Sequence, residues 1–133
     1  MPKQPHSIHS CPCGSPRLYT ECCGRWHEGR QALQAPTAEA LMRSRYSAFV
    51  LDKLPYLLAT WHPSTRPASL EPNPPGLKWL GLQIKAAADQ DAAHATVEFV
   101  ARSRLDGRAS RMHETSRFLR ENGQWFYLDG DVR

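Results

Sequence analysis

The sequence predicts an α+β protein: a small cysteine-bearing metal module, then two helices, then an antiparallel sheet of about four strands. Three observations carry this. Two cysteine pairs lie close together, Cys11-Pro12-Cys13 and Cys22-Cys23. An apolar pattern with helical spacing begins after Thr37, a residue suited to an N-cap. Two dipeptides with strong turn chemistry, Asp106-Gly107 and Asn122-Gly123, punctuate an alternating C-terminal run. The chain has 133 residues, 41% of them hydrophobic, which suits one compact domain and a small appendage.

Residues 1 to 10 hold two prolines and no periodicity, so they read as a loose tail, and His6 and His9 join no constellation. The metal segment runs from Cys11 to Gly29. Met42, Tyr46, Phe49 and Val50 then recur at helical spacing, and Glu39 is placed well for the helix dipole, predicting an amphipathic helix over 37–51. Leu54, Leu57, Leu58 and Trp61 predict a second short helix over 54–61, closed by His62-Pro63. Five prolines between residues 63 and 75 predict a long irregular connection ending at Gly76, functional or mobile. Strands are expected over 77–87, around 95–99, over 108–120 and over 124–129.

The cysteines have metal-ligand character. Four soft ligands converging through a short turn-rich loop suit tetrahedral Zn²⁺. A disulfide within either pair would be strained, and neither pair has the Cys-x-x-Cys spacing of a redox site. So short a segment has no core of its own, and a metal would supply its folding energy. Cys11, Cys13, Cys22 and Cys23 are the expected ligands, with His27 as the rival should Cys23 point away. Either set is closed, which makes the zinc structural. Arg17, Arg25 and Arg30 are the expected outer donors to a Cys₄ centre.

The string from Cys11 to His27, Cys-Pro-Cys-Gly-Ser-Pro-Arg-Leu-Tyr-Thr-Glu-Cys-Cys-Gly-Arg-Trp-His, resembles the SEC-C motif of the SecA translocation ATPase, departing at Pro16, where glycine is frequent. In SecA the motif binds zinc and engages the chaperone SecB and the ribosome. Beyond it, Leu41 to Phe49 (LMRSRYSAF), Thr60 to Pro67 (TWHPSTRP) and His113 to Phe118 (HETSRF) resemble the YchJ-like family of bacterial proteins. That resemblance covers nearly the whole chain. It implies a SEC-C module, residues 1–30, followed by a nuclear-transport-factor-two-like domain, residues 31–133, a cone of helices over a curved sheet. The module has few evident apolar contacts with the rest and is expected to be separable.

The turns also set a register. Leu105 is expected opposite Arg108, Phe99 opposite Glu114, Val97 opposite Ser116, Phe118 opposite Tyr127 and Ser116 opposite Asp129. One face then carries Phe99, Glu114, Ser116, Phe118, Trp125, Tyr127 and Asp129. Buried carboxylates need partners, and Arg43 and Arg45 of the overlying helix are the expected counter-charges. Tyr46 joins them as a pocket candidate. Three uses of this face compete: a buried salt-bridge network, a small-ligand pocket, and a catalytic site. For the last, Glu114 or Asp129 would be the general base, aided by His62 or Tyr46. Related cones include isomerases and dehydratases, which is an analogy of fold alone.

Charge and hydropathy narrow the classes. No apolar run reaches the ~18 residues of a membrane span, and the N-terminus lacks a secretory signal's apolar core, so a cytoplasmic protein is expected. The formal charge is +4, and four thiolates on one Zn²⁺ would lower it by two. The arginines are dispersed, and only Arg102, Arg104, Arg108 and Arg111 look patch-like, so nucleic acid is a poor candidate partner. The preferred reading is an adaptor or binding protein whose zinc module contacts a protein or ribosome-associated partner. The alternative is a small-molecule enzyme of isomerase, dehydratase or hydrolase type using the cone.

Overall fold

In a computed structural model, which describes residues 10–133, one long helix lies on a four-stranded antiparallel sheet of order β1-β2-β3-β4, with two short helices packed against that helix. The elements are α1 (Gly24–His27), α2 (Ala38–Val50), α3 (Leu54–Ala59), β1 (Lys78–Asp89), β2 (His94–Leu105), β3 (Arg108–Glu121) and β4 (Gln124–Val132). A 3-10 turn over Tyr19–Glu21 precedes α1. The tail assigned to residues 1 to 10, with His6 and His9, lies outside the described residues except for Ser10, which forms an antiparallel bridge with Leu18. No helix among the described residues is long and apolar enough to cross a membrane.

Local chemistry accounts for the elements. The Thr37 hydroxyl accepts from Ala40 N at 3.0 Å and opens α2 as expected. Asp106-Gly107 and Asn122-Gly123 both have positive φ at their two central residues, the requirement of a type I′ hairpin. The β2–β3 register is the predicted one throughout, with Leu105 opposite Arg108, Phe99 opposite Glu114 and Val97 opposite Ser116. After α3 the chain adds a short parallel bridge to β4: His62 N donates to Tyr127 O and Tyr127 N to Thr60 O, both at 2.8 Å.

The 63–76 connection is pinned by Asn73. Its side-chain amide donates to Phe49 O at 2.6 Å, its backbone N–H to Asp52 Oδ1, and its amide oxygen accepts from Trp79 Nε1. The loop thereby becomes a rim over one end of the sheet.

Two expectations are corrected here. First, α2 is buried on two faces. Met42, Arg45, Tyr46 and Phe49 face the sheet side at helical spacing, while Ser44 and Ser47, both fully buried, meet α3 and the cysteine module. The four cysteines, Trp26 and the α2 and sheet residues form one continuous buried cluster, so the module is not a loosely attached appendage. Second, the β3–β4 register shifts by one between Arg117 and Phe118. Phe118 faces Tyr127 as predicted, but Arg117 faces Asp129 and Ser116 faces Gly130. Leu128 is the extra residue of a β-bulge.

Candidate metal centre and cone cavity

The Cys₄ arrangement grows from short turns. Cys11 N donates to Arg17 O and Gly14 N to Cys11 O, folding the first pair inward; the 3-10 turn and α1 present the second. All four thiols are buried, and their sulfurs lie within 4.8 Å of one another. Cys13 Sγ and Cys22 Sγ are 3.8 Å apart. That is far beyond a disulfide bond and equals the edge of a tetrahedron with Zn–S bonds of about 2.3 Å, which is about 3.8 Å. The thiols also need a cation to ionise together. Hydrogen bonds from Cys13 and Cys23 hold Cys11 far below the usual thiol range, whereas the bond to Cys11 pushes Cys13 up to about 11 and Cys23 higher still. The donor set therefore fits a soft divalent ion.

His27 stands outside the cluster. Its Nδ1 pairs with the Tyr19 hydroxyl at 2.6 Å and its Nε2 with Ser44 O at 2.8 Å. A neutral ring meets both partners if Nε2–H donates and Nδ1 accepts, and burial lowers the His27 pKa from 6.5, favouring that neutral form. A depressed pKa gives stability that is present above 6.5 and lost as pH falls through the folded-state value. His27→Ala is expected to keep full metal content while losing roughly 1–3 kcal/mol of stability, read by metal analysis and denaturant melts.

The outer donors differ from those expected. Arg25 Nε donates to Cys22 O at 3.0 Å, but the Arg17 and Arg30 side chains make no such bond. Instead α2 supplies Arg43, whose Nη1 donates to Cys13 O at 3.1 Å while its Nε pairs with Glu39, and Ser47, whose hydroxyl is 3.5 Å from Cys11 Sγ. Arg43 is therefore not a counter-charge for the sheet carboxylates. Residues two apart on a helix point about 200° from one another, so Arg43 and Arg45 cannot share a face.

Arg45 points into the cone. It is 3% exposed, its Nη1 donates to Leu57 O and Thr60 Oγ1 at 2.8 Å each, and its guanidinium lies against both the Trp61 and Tyr127 rings, 5.0 and 4.6 Å from their centroids. Burial pulls its pKa down to about 10, so it stays charged at neutral pH. Across from it, Glu114 Oε2 accepts from Ser116 Oγ at 2.6 Å and from the Tyr127 hydroxyl at 3.2 Å. The expected Arg45–Glu114 salt bridge is absent, since each group spends its hydrogen bonds on neutral partners. Burial and the Glu114 carboxylate push the Tyr127 hydroxyl up to about 12, keeping it a donor.

Arg45, Tyr46, Glu114, Ser116 and Tyr127 surround one cavity of about 440 Å³. Four other candidates do not. Asp129 faces outward because of the bulge, paired with Arg117 Nε at 2.6 Å. Trp125 is buried beyond the cavity, opposite Arg120 near the hairpin end. His62 bonds Ser64 Oγ and Glu121 Oε1 outside the cone. Arg43 belongs to the cysteine module. Asp129→Asn is accordingly expected to leave the denaturation midpoint nearly unchanged, as exposed pairs contribute little.

Sequence reasoning put Phe99 on this face but missed the other apolar walls, Met42, Phe49, Trp79, Ala101 and Met112, and the loop rim from Glu71 to Pro74. It also missed Gly130, which occupies the inward place foreseen for Asp129. A Cβ there would run into the Glu114 carboxylate, 2.8 Å from Cδ. The repeat Met42, Arg45, Tyr46, Phe49 was the available signal for the helix wall; nothing local marked the rest.

The geometry defines a class: a cysteine-cluster module docked on a cone of helices over a curved antiparallel sheet. The family described as YchJ, middle NTF2-like domain, matches residues 37–130. A solution structure of a SEC-C motif containing protein from Rhodopseudomonas palustris is similar, with a TM-score of 0.77 and 31% identity, over 92% of this chain and 98% of that one. A crystal structure of a SEC-C motif containing protein from Psychrobacter arcticus gives a TM-score of 0.78 at 33% identity, over 95% and 84% of the two chains. A UPF0225 protein of Bordetella bronchiseptica is 66% identical over the full length of both chains, and one of Methylibium petroleiphilum is 60% identical over 99% of this chain and 95% of its own. The chain belongs to the YchJ-like UPF0225 family.

Proposed function

We propose that this protein is a zinc-stapled binding protein: a structural zinc on Cys11, Cys13, Cys22 and Cys23 fixes residues 10–30 onto α2, and the cone holds a small molecule. The single observation that carries the binding reading is the cavity. Arg45 and Glu114 converge on its wall without pairing, and such apolar cavities with a few polar groups are the usual shape of ligand sites. The zinc reading is supported by four buried sulfurs within 4.8 Å of one another, one pair of them at the 3.8 Å edge of a zinc–thiolate tetrahedron. A closed Cys₄ set leaves no coordination position for substrate, so the metal's work is to hold the fold. Native mass spectrometry of freshly reduced protein should find one zinc per chain, together with a small-molecule adduct that Met112→Trp, at the cavity mouth, removes. Metal-free folded protein would end the zinc assignment, and an adduct that survives the variant would move the ligand elsewhere.

A partner contact through the module is the second reading. A shallow hollow of about 390 Å³ beside Cys22 and Cys23 carries Arg17, Arg25 and Arg43, a basic face suited to an acidic protein or a ribosome-associated partner. Arg17→Glu with Arg25→Glu should abolish capture of such a partner while leaving the cone untouched. A catalytic use of the cone is less well supported. His62 lies outside it, and among the described residues no second titratable group of the cavity is within hydrogen-bond reach of Glu114 apart from the Tyr127 hydroxyl, which already donates to it.

A further inference from the structure

We infer that the cone cavity takes a flat, neutral heterocycle presenting a carbonyl acceptor and an N–H donor, as a cyclic amide does. The inference rests on the reading of the cone as a ligand site and adds the chemistry of the ligand.

The donors and the acceptor on the wall are unequally used. Arg45 makes both of its hydrogen bonds through Nη1, which leaves Nε and Nη2 without a protein acceptor. Trp61 also lines the cavity, but its Nε1 is shut off from the open space, so the free donors on this wall are those of Arg45. Buried polar groups left unmatched are rare, because each loses its water without compensation. Glu114 uses only Oε2 for Ser116 and Tyr127, leaving Oε1 as a free acceptor. One wall of the cavity thus offers surplus N–H groups, and a neighbouring one offers a surplus carboxylate oxygen.

Charge decides between ligand classes. Arg45 and Glu114 cancel within the cavity, and Glu71 at the rim is exposed to water. A carboxylate drawn to Arg45 would meet Glu114, and an ammonium drawn to Glu114 would meet Arg45; either carries an uncompensated charge into a buried site. A purely apolar molecule would leave the Arg45 donors dry. A neutral group with an acceptor beside a donor satisfies both walls. The remaining walls favour a flat ring: Tyr46, Phe49, Trp79 and Phe99 supply aromatic faces, and Met42 and Met112 supply adaptable edges.

The test uses the zinc-loaded full chain and three bicyclic probes of similar size: isoquinolin-1-one, its N-methyl derivative, which lacks the N–H donor, and 1-naphthoate. Binding is read by isothermal titration and by quenching of tryptophan fluorescence, since Trp61 and Trp79 line the cavity. Isoquinolin-1-one is expected to bind roughly tenfold or more tightly than either of the others, the worth of one matched hydrogen bond. Met112→Trp should abolish binding. Met112 is 39% exposed, so that variant keeps its fold, as its melting curve would verify. Naphthoate or the N-methyl compound binding as tightly as the lactam, with loss in Met112→Trp, overturns the ligand class while leaving a ligand site in the cone. Binding that survives Met112→Trp, or no binding by any probe, overturns both.

Discussion

Replacing Cys13 with serine is expected to abolish stoichiometric zinc and to destabilise the whole chain, beyond the module. Cys13 is fully buried, 3.8 Å from Cys22 Sγ, and its carbonyl accepts from Arg43 of α2. A structural zinc contributes about 10–16 kcal/mol of apparent binding energy in small zinc-dependent folds. Here that energy also fastens one face of the central helix. Without the metal, the four thiols cannot ionise together, and the contacts of Ser47 with Cys11 and of Ser44 O with His27 lose their fixed partners. Each kcal/mol lost moves the melting temperature of a domain this size by roughly 3–6 °C. The Cys13→Ser melt should therefore lie far below that of the parent, with the sheet signal and the module signal lost together. Acidification should release the metal in the parent, because ligation requires thiolates. A variant whose sheet melts at the parental temperature after complete zinc loss would restore the separable module that the sequence suggests.

Gly130→Ala is expected to destabilise the cone by about 3 kcal/mol, against the usual sign for such a change in a strand, where alanine gains on glycine by roughly 0.5–1 kcal/mol. The added methyl would occupy the space of the Glu114 carboxylate and approach Thr115 O at 3.0 Å. Glu114 cannot yield without breaking its bonds from Ser116 and Tyr127 in a buried setting. Truncating the side chain that is struck should relieve the clash, so Glu114→Ala combined with Gly130→Ala should lose much less than the sum of the two single changes. Additive losses in that cycle would mean that Gly130 and Glu114 do not meet. The same cycle reports the bulge, because only the shifted register places Gly130 opposite Ser116 and beneath Glu114.

The sequence by itself determined the element order, both hairpins and the convergence of the cysteines. Turn chemistry and periodicity are short-range codes: Asp106-Gly107 fixes the whole β2–β3 register from two residues, and the Thr37 cap fixes where α2 begins. Those codes also placed Arg45, Tyr46, Glu114, Ser116 and Tyr127 around one cavity. The tertiary structure decided what lies opposite each face. Arg43 met the cysteines because the module covers the side of α2 turned away from the sheet, a contact that only docking creates. The bulge at Leu128 turned Asp129 outward to Arg117 and put Gly130 inward, since Glu114 needs space that no side chain at that place would leave. Periodicity states which residues share a face; packing between distant segments states what that face touches, and where one residue must be looped out so that it can.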